Sequence, residues 1–201
     1  MEQDPVGVKR EIGVVPEDMA LFDRLTGMEY LSFVGQLYGL PRKVAAKRSA
    51  ELLEFMDLTD SPKKLIVDYS HGMKKKVSLA AALIHTPKVL FLDEPFEGVD
   101  AIAAKTMKNT LQSMIDGGAT IFLTSHVLDI VERLCSHVGI INRGVLVAQG
   151  SVDELRSGVQ MSHSAGGLLP GVGPMTLEEI FVDIVGGARA MPEQTLAWLK
   201  E

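Results

Sequence analysis

Two adjacent carboxylates, Asp93 and Glu94, are the residues of this sequence best suited to chemistry. They follow four apolar residues in the stretch Val89–Pro95, which reads Val-Leu-Phe-Leu-Asp-Glu-Pro. One carboxylate can hold Mg²⁺ while the other takes a proton from water. A strand that ends in two solvated acids is the competing interpretation, because a short apolar run before an aspartate is common.

A buried strand has to position this pair. The apolar run is short and lies between Pro87 and Pro95. This pattern predicts a strand covered on both faces, as in a parallel sheet flanked by helices. Open α/β sheets place their ligands at the carboxyl ends of such strands. We therefore expect Asp93 and Glu94 at a ligand-binding edge.

A second candidate site is the start of the helix that follows Ser70. Ser70 is the predicted N-cap, and apolar residues then recur at helical spacing at Met73, Val77, Ala80 and Ile84. Free backbone N–H groups at a helix start favour an anion, and Gly72 has no side chain to block its approach. Lys74–Lys76 mostly fall away from the apolar stripe. We interpret them as a solvated helix face rather than a nucleic-acid or lipid patch.

Two further polar residues follow predicted strands. Glu17 comes after the short run Glu11–Val15, and His126 comes after the β-rich run Ala119–Thr124. A lone histidine is more often a surface or core residue. Its position directly after a strand is therefore what singles out His126.

Predicted helices and strands alternate around these candidates. Helical spacing predicts helices at Gly27–Tyr38, Arg42–Asp57 and Ala101–Ile115. The strand–helix–strand order from Val89 to Thr124 predicts a βαβ unit with a right-handed crossover. Towards the end of the chain we predict a hairpin of His137–Ile141 with Val145–Gln149, capping boxes at Ser151–Glu154 and Thr176–Glu179, and a last helix at Pro192–Lys200.

Composition limits the class of protein. The chain has 201 residues, a length that suits one globular domain with a tail. Its net charge of −6 argues against a nucleic-acid partner. Its single cysteine, Cys135, excludes an internal disulfide and favours a reducing compartment. No apolar run approaches the ~20 residues that span a bilayer. We expect a cytoplasmic protein, or one held at the inner face of a membrane by a partner.

Taken together and in order, these motifs resemble the ATP-binding domain of ABC transporters. The resemblance runs from about Val6 to Gly187 and is closest to ATPase subunits paired with separate membrane permeases. It implies an α/β fold of the P-loop NTPase type, with a parallel sheet and a helical subdomain at about residues 21–80. It also implies ATP and Mg²⁺ as cofactors, and a second ATPase subunit and an integral membrane permease as partners.

The resemblance assigns roles residue by residue. Val89–Glu94 matches the Walker B strand, in which Asp93 organises Mg²⁺ and Glu94 polarises the attacking water. His126 matches the switch histidine that touches the γ-phosphate, and Glu17 lies where the family usually has the glutamine of the Q-loop. Asp100 belongs to the D-loop, Gly98-Val99-Asp100, which crosses the dimer interface.

The stretch Tyr69–Lys74 matches the signature motif, which in this family binds the γ-phosphate of ATP held by the other subunit. The residues concerned are Ser70, His71, Gly72 and Met73. His71 stands where the signature often has glycine, and Met73 stands where it often has glutamine. Glu17 departs in the same way, because a carboxylate is no neutral donor but still offers oxygen to water or Mg²⁺.

The Walker A motif, Gly-x-x-x-x-Gly-Lys-[Ser/Thr], does not occur in the 201 residues. We therefore expect an ABC ATPase domain that lacks the N-terminal strands and the Walker A helix and does not hydrolyse ATP alone. The predicted organisation is a truncated domain at 1–158, a flexible linker at 159–175 and a helical tail at 176–201.

The leading hypothesis is an ATP-hydrolysing subunit that powers transport, in the direction of export, through a separate permease. One alternative is a degenerate partner that does not hydrolyse ATP and contributes only its signature motif or docks the permease. A gene fragment and an ABC ATPase without a permease are two further alternatives.

Overall fold

Three parallel strands organise the described part of residues 1–126, the first of two units into which the chain divides; the second is 127–201. The structure, a computed structural model, describes residues 4–59, 63–156 and 176–186. Strands β1 (Ile12–Val15), β2 (Val89–Asp93) and β3 (Thr120–Thr124) pair in the order β1-β2-β3. The predicted parallel sheet of an α/β fold is confirmed.

Side-chain caps begin most of the described helices of this unit, and the predicted cap at Ser70 is confirmed. The helices are α1 (Pro5–Arg10), α2 (Gly27–Leu37), α3 (Arg42–Phe55), α4 (His71–Leu83) and α5 (Ala101–Asp116), with a 3₁₀ turn at Ile66–Asp68. Thr26 and Glu29 form a capping box at α2, and the Ser70 hydroxyl caps α4. These caps satisfy backbone N–H groups that the helix itself leaves without partners.

Helix α4 packs against the sheet and against several other helices. It contacts β1 as well as α2, α3 and α5. From Val77 to Leu83 every residue is buried, which an amphipathic surface helix would not show. Because α4 is enclosed along this length, its first turn is held firmly next to the sheet.

One face of the sheet is open, and the prediction that β2 is buried on both faces is wrong. Leu90 and Leu92 are buried, but Phe91 between them is 41% exposed. Phe91 pairs with Val14 of β1 and stacks on Phe122 of β3, with ring centroids 5.2 Å apart. We call Val14, Phe91 and Phe122 the open face. A strand's own sequence does not state which neighbouring element covers each of its faces.

The second unit is built on a short helix and a hairpin. It contains α6 (Leu128–Leu134), the antiparallel strands β4 (Val138–Asn142) and β5 (Val145–Gly150), and α7 (Leu177–Gly186). Both predicted capping boxes form. Its core consists of Val131, Ile140, Leu155, Leu177 and Ile180. The predicted linker at 159–175 and the predicted helix Pro192–Lys200 lie outside the described residues.

Candidate functional site

The carboxyl ends of the three parallel strands bring the candidate residues together. Glu17 follows β1, Asp93 and Glu94 stand at the end of β2, and His126 follows β3. Asp93 is paired in register with Thr124, the last residue of β3. We call Glu17, Asp93, Glu94, Thr124 and His126 the strand-end site. Its place agrees with the position of ligand sites in open α/β sheets.

Thr124 contacts both carboxylate residues. Its hydroxyl donates a hydrogen bond to Asp93 Oδ1. The same hydroxyl oxygen and the Thr124 carbonyl each lie 3.3 Å from the backbone N–H of Glu94, which donates to them. One residue of the neighbouring strand thus orients both carboxylates. Sequence reasoning missed Thr124, although its polar side chain at the end of a predicted neighbouring strand was a usable signal.

Glu94 has an unusual backbone conformation. Its φ is +43°, in the left-handed region, which for a residue with a side chain costs on the order of 1–3 kcal/mol. Its carbonyl accepts a hydrogen bond from the Glu97 N–H at 3.3 Å, closing a tight turn. The turn aims the Glu94 carboxylate at His126 while Asp93 remains directed at Thr124. The two adjacent carboxylates therefore diverge.

His126 and Glu94 form a close pair. His126 Nδ1 lies 3.0 Å from Glu94 Oε1, and the side chains are 66% and 18% exposed. The hydrogen bond with Glu94 raises the pKa of His126, and the charge of Glu94 adds to this effect. Burial lowers that pKa by less than Glu94 raises it, and the charges of Glu97 and Glu17 raise it by still smaller amounts. A cationic imidazole is therefore favoured against this carboxylate.

Lys75 enters the site from α4. Its side chain is only 1% exposed, so the interpretation of Lys74–Lys76 as one solvated face is wrong for its middle residue. The Lys75 ammonium donates to the Glu94 carbonyl at 3.1 Å and to the Glu17 carbonyl at 3.5 Å. Sequence reasoning missed this contact, because spacing alone places Lys75 opposite the apolar stripe.

The start of α4 also touches the loop that follows β2. The Ser70 side chain accepts a hydrogen bond from the Met73 N–H at 3.2 Å, and a Cβ at Gly72 would lie 3.9 Å from the Gly98 carbonyl oxygen. The His71 ring lies against Gly98: a Cβ at Gly98 would be 2.6 Å from His71 Cδ2. Gly98 also has a φ of +66°. A side chain there is therefore disfavoured both by the contact with His71 and by the backbone conformation.

Asp100 caps α5 in this structure. Its Oδ1 accepts hydrogen bonds from the N–H groups of Ile102 and Ala103 at 3.0 and 2.9 Å. The bond from Ala103 is the main reason that the pKa of Asp100 is lowered, with smaller contributions from Ile102 and the charge of Lys76. Asp100 therefore fixes the point at which the loop after β2 ends.

The strand-end site offers an exposed carboxylate, the kind of oxygen ligand that Mg²⁺ prefers. The described residues contain no cluster of three or more histidine, cysteine, aspartate or glutamate side chains that could hold a metal. Mg²⁺ usually binds through one or two carboxylates together with water and substrate phosphates. The exposed carboxylate of Asp93, oriented by the Thr124 hydroxyl, fits one position in such a shell.

Comparison with known proteins gives a consistent result. Residues 2–97 match the family described as ABC transporter. The linearmycin resistance ATP-binding protein LnrL of Bacillus subtilis (strain 168) is 40% identical over 149 residues, which are 74% of this chain and 48% of that protein. The doxorubicin resistance ATP-binding protein DrrA of Mycobacterium tuberculosis (strain ATCC 25618 / H37Rv) is 31% identical over 196 residues, 98% of this chain and 57% of that protein.

A solved structure of the ATP-binding subunit of an ABC transporter resembles the fold. Its TM-score is 0.77 at 27% sequence identity, over 91% of this chain and 72% of that chain. The chain spans about half the length of the curated relatives reported above.

Proposed function

Because this chain belongs to the ABC transporter family of ATP-binding proteins, we propose that it is part of the ATP-hydrolysing subunit of a transporter. The observation that carries the proposal is the contact between Glu94 Oε1 and His126 Nδ1 at 3.0 Å, directly beside Asp93. Two relatives are named for resistance to linearmycin and doxorubicin, which supports export as the direction.

The proposed chemistry divides the work of the strand-end site. Glu94 acts as the general base that accepts a proton from the attacking water, and His126 orients its carboxylate. Asp93, held by Thr124, is one ligand of a nucleotide-bound Mg²⁺, which neutralises phosphate charge when present. Ser70, Gly72 and their neighbours in the first turn of α4 offer backbone N–H groups to the nucleotide of a second subunit.

The proposed assembly has two ATPase subunits, most simply a homodimer, and an integral membrane permease. The chain would lie at the cytoplasmic face of the membrane. No helix among the described residues combines the length and the apolar character needed to cross a bilayer. The proposed dimer closes around nucleotide and reopens after hydrolysis.

Exposed aromatic side chains on α2 and the loop before it support permease docking. Phe22 and Phe33 are both substantially exposed, and their ring centroids are 5.5 Å apart in an edge-to-face arrangement. Cysteines introduced near Glu17 and Phe22 should cross-link to a cytoplasmic loop of the permease. Cross-links that form only from other surfaces of the domain would contradict this docking site.

The test of the proposed activity needs a phosphate-binding loop. Such a loop supplies the backbone cradle, the lysine and a hydroxyl for the metal, and the 201 residues contain no such motif. We expect the chain alone not to hydrolyse ATP. The test protein is therefore this chain joined to a preceding segment with a Walker A strand, loop and helix, which we call the phosphate-loop protein.

In the phosphate-loop protein, Glu94→Gln should keep nucleotide binding and lower turnover by about 10²–10⁴-fold, the usual contribution of a general base. The ATP-bound dimer should accumulate, which gel filtration would show. Asp93→Asn is the comparison and should weaken the dependence on Mg²⁺. If Glu94→Gln hydrolysed ATP at the parental rate, Glu94 would not be the base. If the parent bound ATP without hydrolysing it, the alternative of a degenerate partner would be favoured.

A further inference from the structure

We propose that Lys75 is a positioning residue for Glu94: its buried ammonium holds the Glu94 carbonyl and thereby fixes the direction of the Glu94 carboxylate. The Lys75 Nζ atom lies 3.1 Å from that carbonyl oxygen. The inference rests on the proposed function, in which Glu94 is the base. It adds a residue of α4 that acts through the backbone of another residue.

The burial of Lys75 needs an explanation. Lysine is among the residues that are least often fully buried without a partner. Among the described residues, no carboxylate forms an ion pair with Lys75. The Lys75 ammonium donates hydrogen bonds to the carbonyls of Glu94 and Glu17. A methionine would fill a similar volume without the cost of burying a charge. What the lysine adds is therefore the pair of hydrogen bonds.

The backbone of Glu94 is held from both sides. Its N–H donates to Thr124, and its carbonyl accepts from Lys75 and from the Glu97 N–H. These contacts fix the two peptide groups on either side of a residue with a φ of +43°. Fixing both peptide groups fixes the Cα–Cβ direction, and with it the path of the carboxylate towards His126.

The same ammonium connects a third segment. The carbonyl of Glu17, in the loop after β1, lies 3.5 Å from Lys75 Nζ. One side chain on the first turns of α4 therefore contacts the loop after β1 and the turn after β2. Without it, Glu94 would lose a strong charged donor on its carbonyl side and could leave its strained conformation.

The first experiment measures backbone protection in the 201-residue chain. Hydrogen exchange at the Glu94 and Glu97 amides should be faster by about tenfold or more in Lys75→Met, because the turn loses its charged donor. Lys75→Arg, which keeps a cation, and Lys105→Met, the matched control at an exposed lysine of α5, should stay within about twofold of the parent. Equal exchange at these amides in Lys75→Met and Lys105→Met would overturn the proposal.

The second experiment measures turnover in the phosphate-loop protein. Lys75→Met should lower kcat by about ten- to a hundredfold, with KM for ATP within about twofold, because a misplaced base affects the chemical step. Lys75→Arg should restore most of the rate. A general loss of folding would instead lower the thermal midpoint and the amount of active protein. Lys105→Met shows how much the rate changes when a lysine outside the site is replaced by methionine.

The outcomes separate this inference from the proposed function. If the parental phosphate-loop protein is inactive, the proposed function fails, and the exchange experiment still decides whether Lys75 holds the turn. If the parent is active and Lys75→Met matches Lys105→Met in kcat, the positioning role fails while the proposed function stands. If Lys75→Met does not fold, Lys75→Gln takes its place, because its side chain is shorter and uncharged. Its effects on amide exchange and on kcat should have the same direction as those of Lys75→Met, and the same results would contradict the proposal.

Discussion

The strand-end site and the open face are built from the same three strands, yet they are held in different ways. At the strand ends, Asp93, Glu94 and His126 each form a hydrogen bond or a close polar contact within the site. On the open face, Phe91 is 41% and Phe122 is 58% exposed, and the two rings stack on each other. The site is fixed by contacts within the described unit, whereas the open face is left without cover by that unit.

This difference indicates how the sheet carries the site. Leu90 and Leu92 anchor β2 on the buried face, next to α4, and Asp93 follows directly on the same strand. One well-packed face is enough to fix the position of the strand end. The open face can therefore change its surroundings without moving the carboxylates, and the following four predictions test that separation.

The largest expected difference in stability is between neighbouring residues of β2. Leu90→Ala removes a fully buried side chain and should lower the free energy of unfolding by about 2–5 kcal/mol. Phe91→Ala removes a partly exposed ring and a stacking partner and should cost about 1–2 kcal/mol. Urea unfolding followed by circular dichroism measures both values. Equal costs would mean that the open face is covered in solution.

A smaller effect is expected where the start of α4 meets the loop after β2. Gly98→Ala should destabilise the unit by about 2–3 kcal/mol, because it adds a Cβ against the His71 ring at a positive φ. Gly118→Ala is the matched control: its φ is +90° but its surroundings are empty, so the cost should be only about 1 kcal/mol. Adding His71→Ala should recover part of the loss at Gly98, and no recovery would exclude this contact as its cause.

The open face should make the 201-residue chain self-associate. β3 is an edge strand of the described sheet, and such edges with exposed aromatic residues pair with other chains. Phe122→Lys should weaken the association by about tenfold, the effect of roughly 1.4 kcal/mol of lost apolar burial. Phe55→Lys, at a similarly exposed phenylalanine of α3, should leave it unchanged. A monodisperse monomer of the parent chain in light scattering would contradict the prediction.

The smallest effect concerns pH. Glu94 raises the pKa of His126 in the folded protein above the ordinary value of 6.5. The pair therefore contributes its stabilisation fully below about pH 6.5, and the contribution is lost as pH rises through the raised pKa of the folded state. Since the His126 side chain is largely exposed, we expect only a shallow slope of stability against pH.

An NMR titration of His126 tests this directly. In Glu94→Gln the pKa of His126 should fall back towards its ordinary value, because the first cause of the shift is removed. Glu97→Gln should produce a smaller change in the same direction. An unchanged titration in Glu94→Gln would show that the two side chains do not meet in solution.

Local signals in the sequence were sufficient for most of the first unit. The predicted cap at Ser70, the apolar run of β2 and the proline before it define their elements within a few residues. The order of motifs then predicted which strand ends carry Glu17, Asp93, Glu94 and His126. These features are encoded by residues close in sequence, so they can be read without knowing the tertiary contacts.

Two errors arose where a distant element decides the outcome. Lys75 lies opposite the apolar stripe of α4, and a surface helix would expose it. The second half of α4 is instead buried on all sides. The Lys75 ammonium donates hydrogen bonds to the carbonyls of two loops that are distant from it in sequence. Phe91 is the opposite case. Its apolar neighbours in sequence predicted burial of both faces of β2, but only one face is buried.

Thr124 has a consequence for the fidelity of folding. Its hydroxyl reaches Asp93 because β2 and β3 pair with these two residues opposite each other. A slip of one residue would bring Leu123 or Ser125 opposite Asp93 and turn alternate side chains to the other face of the sheet. Such a misregistered chain could keep its helices and a parallel sheet, but its carboxylates would lose their shared partner. In the phosphate-loop protein, the proposed turnover would then report on correct strand alignment, and a slipped population would register as inactive protein with a nearly normal circular dichroism spectrum.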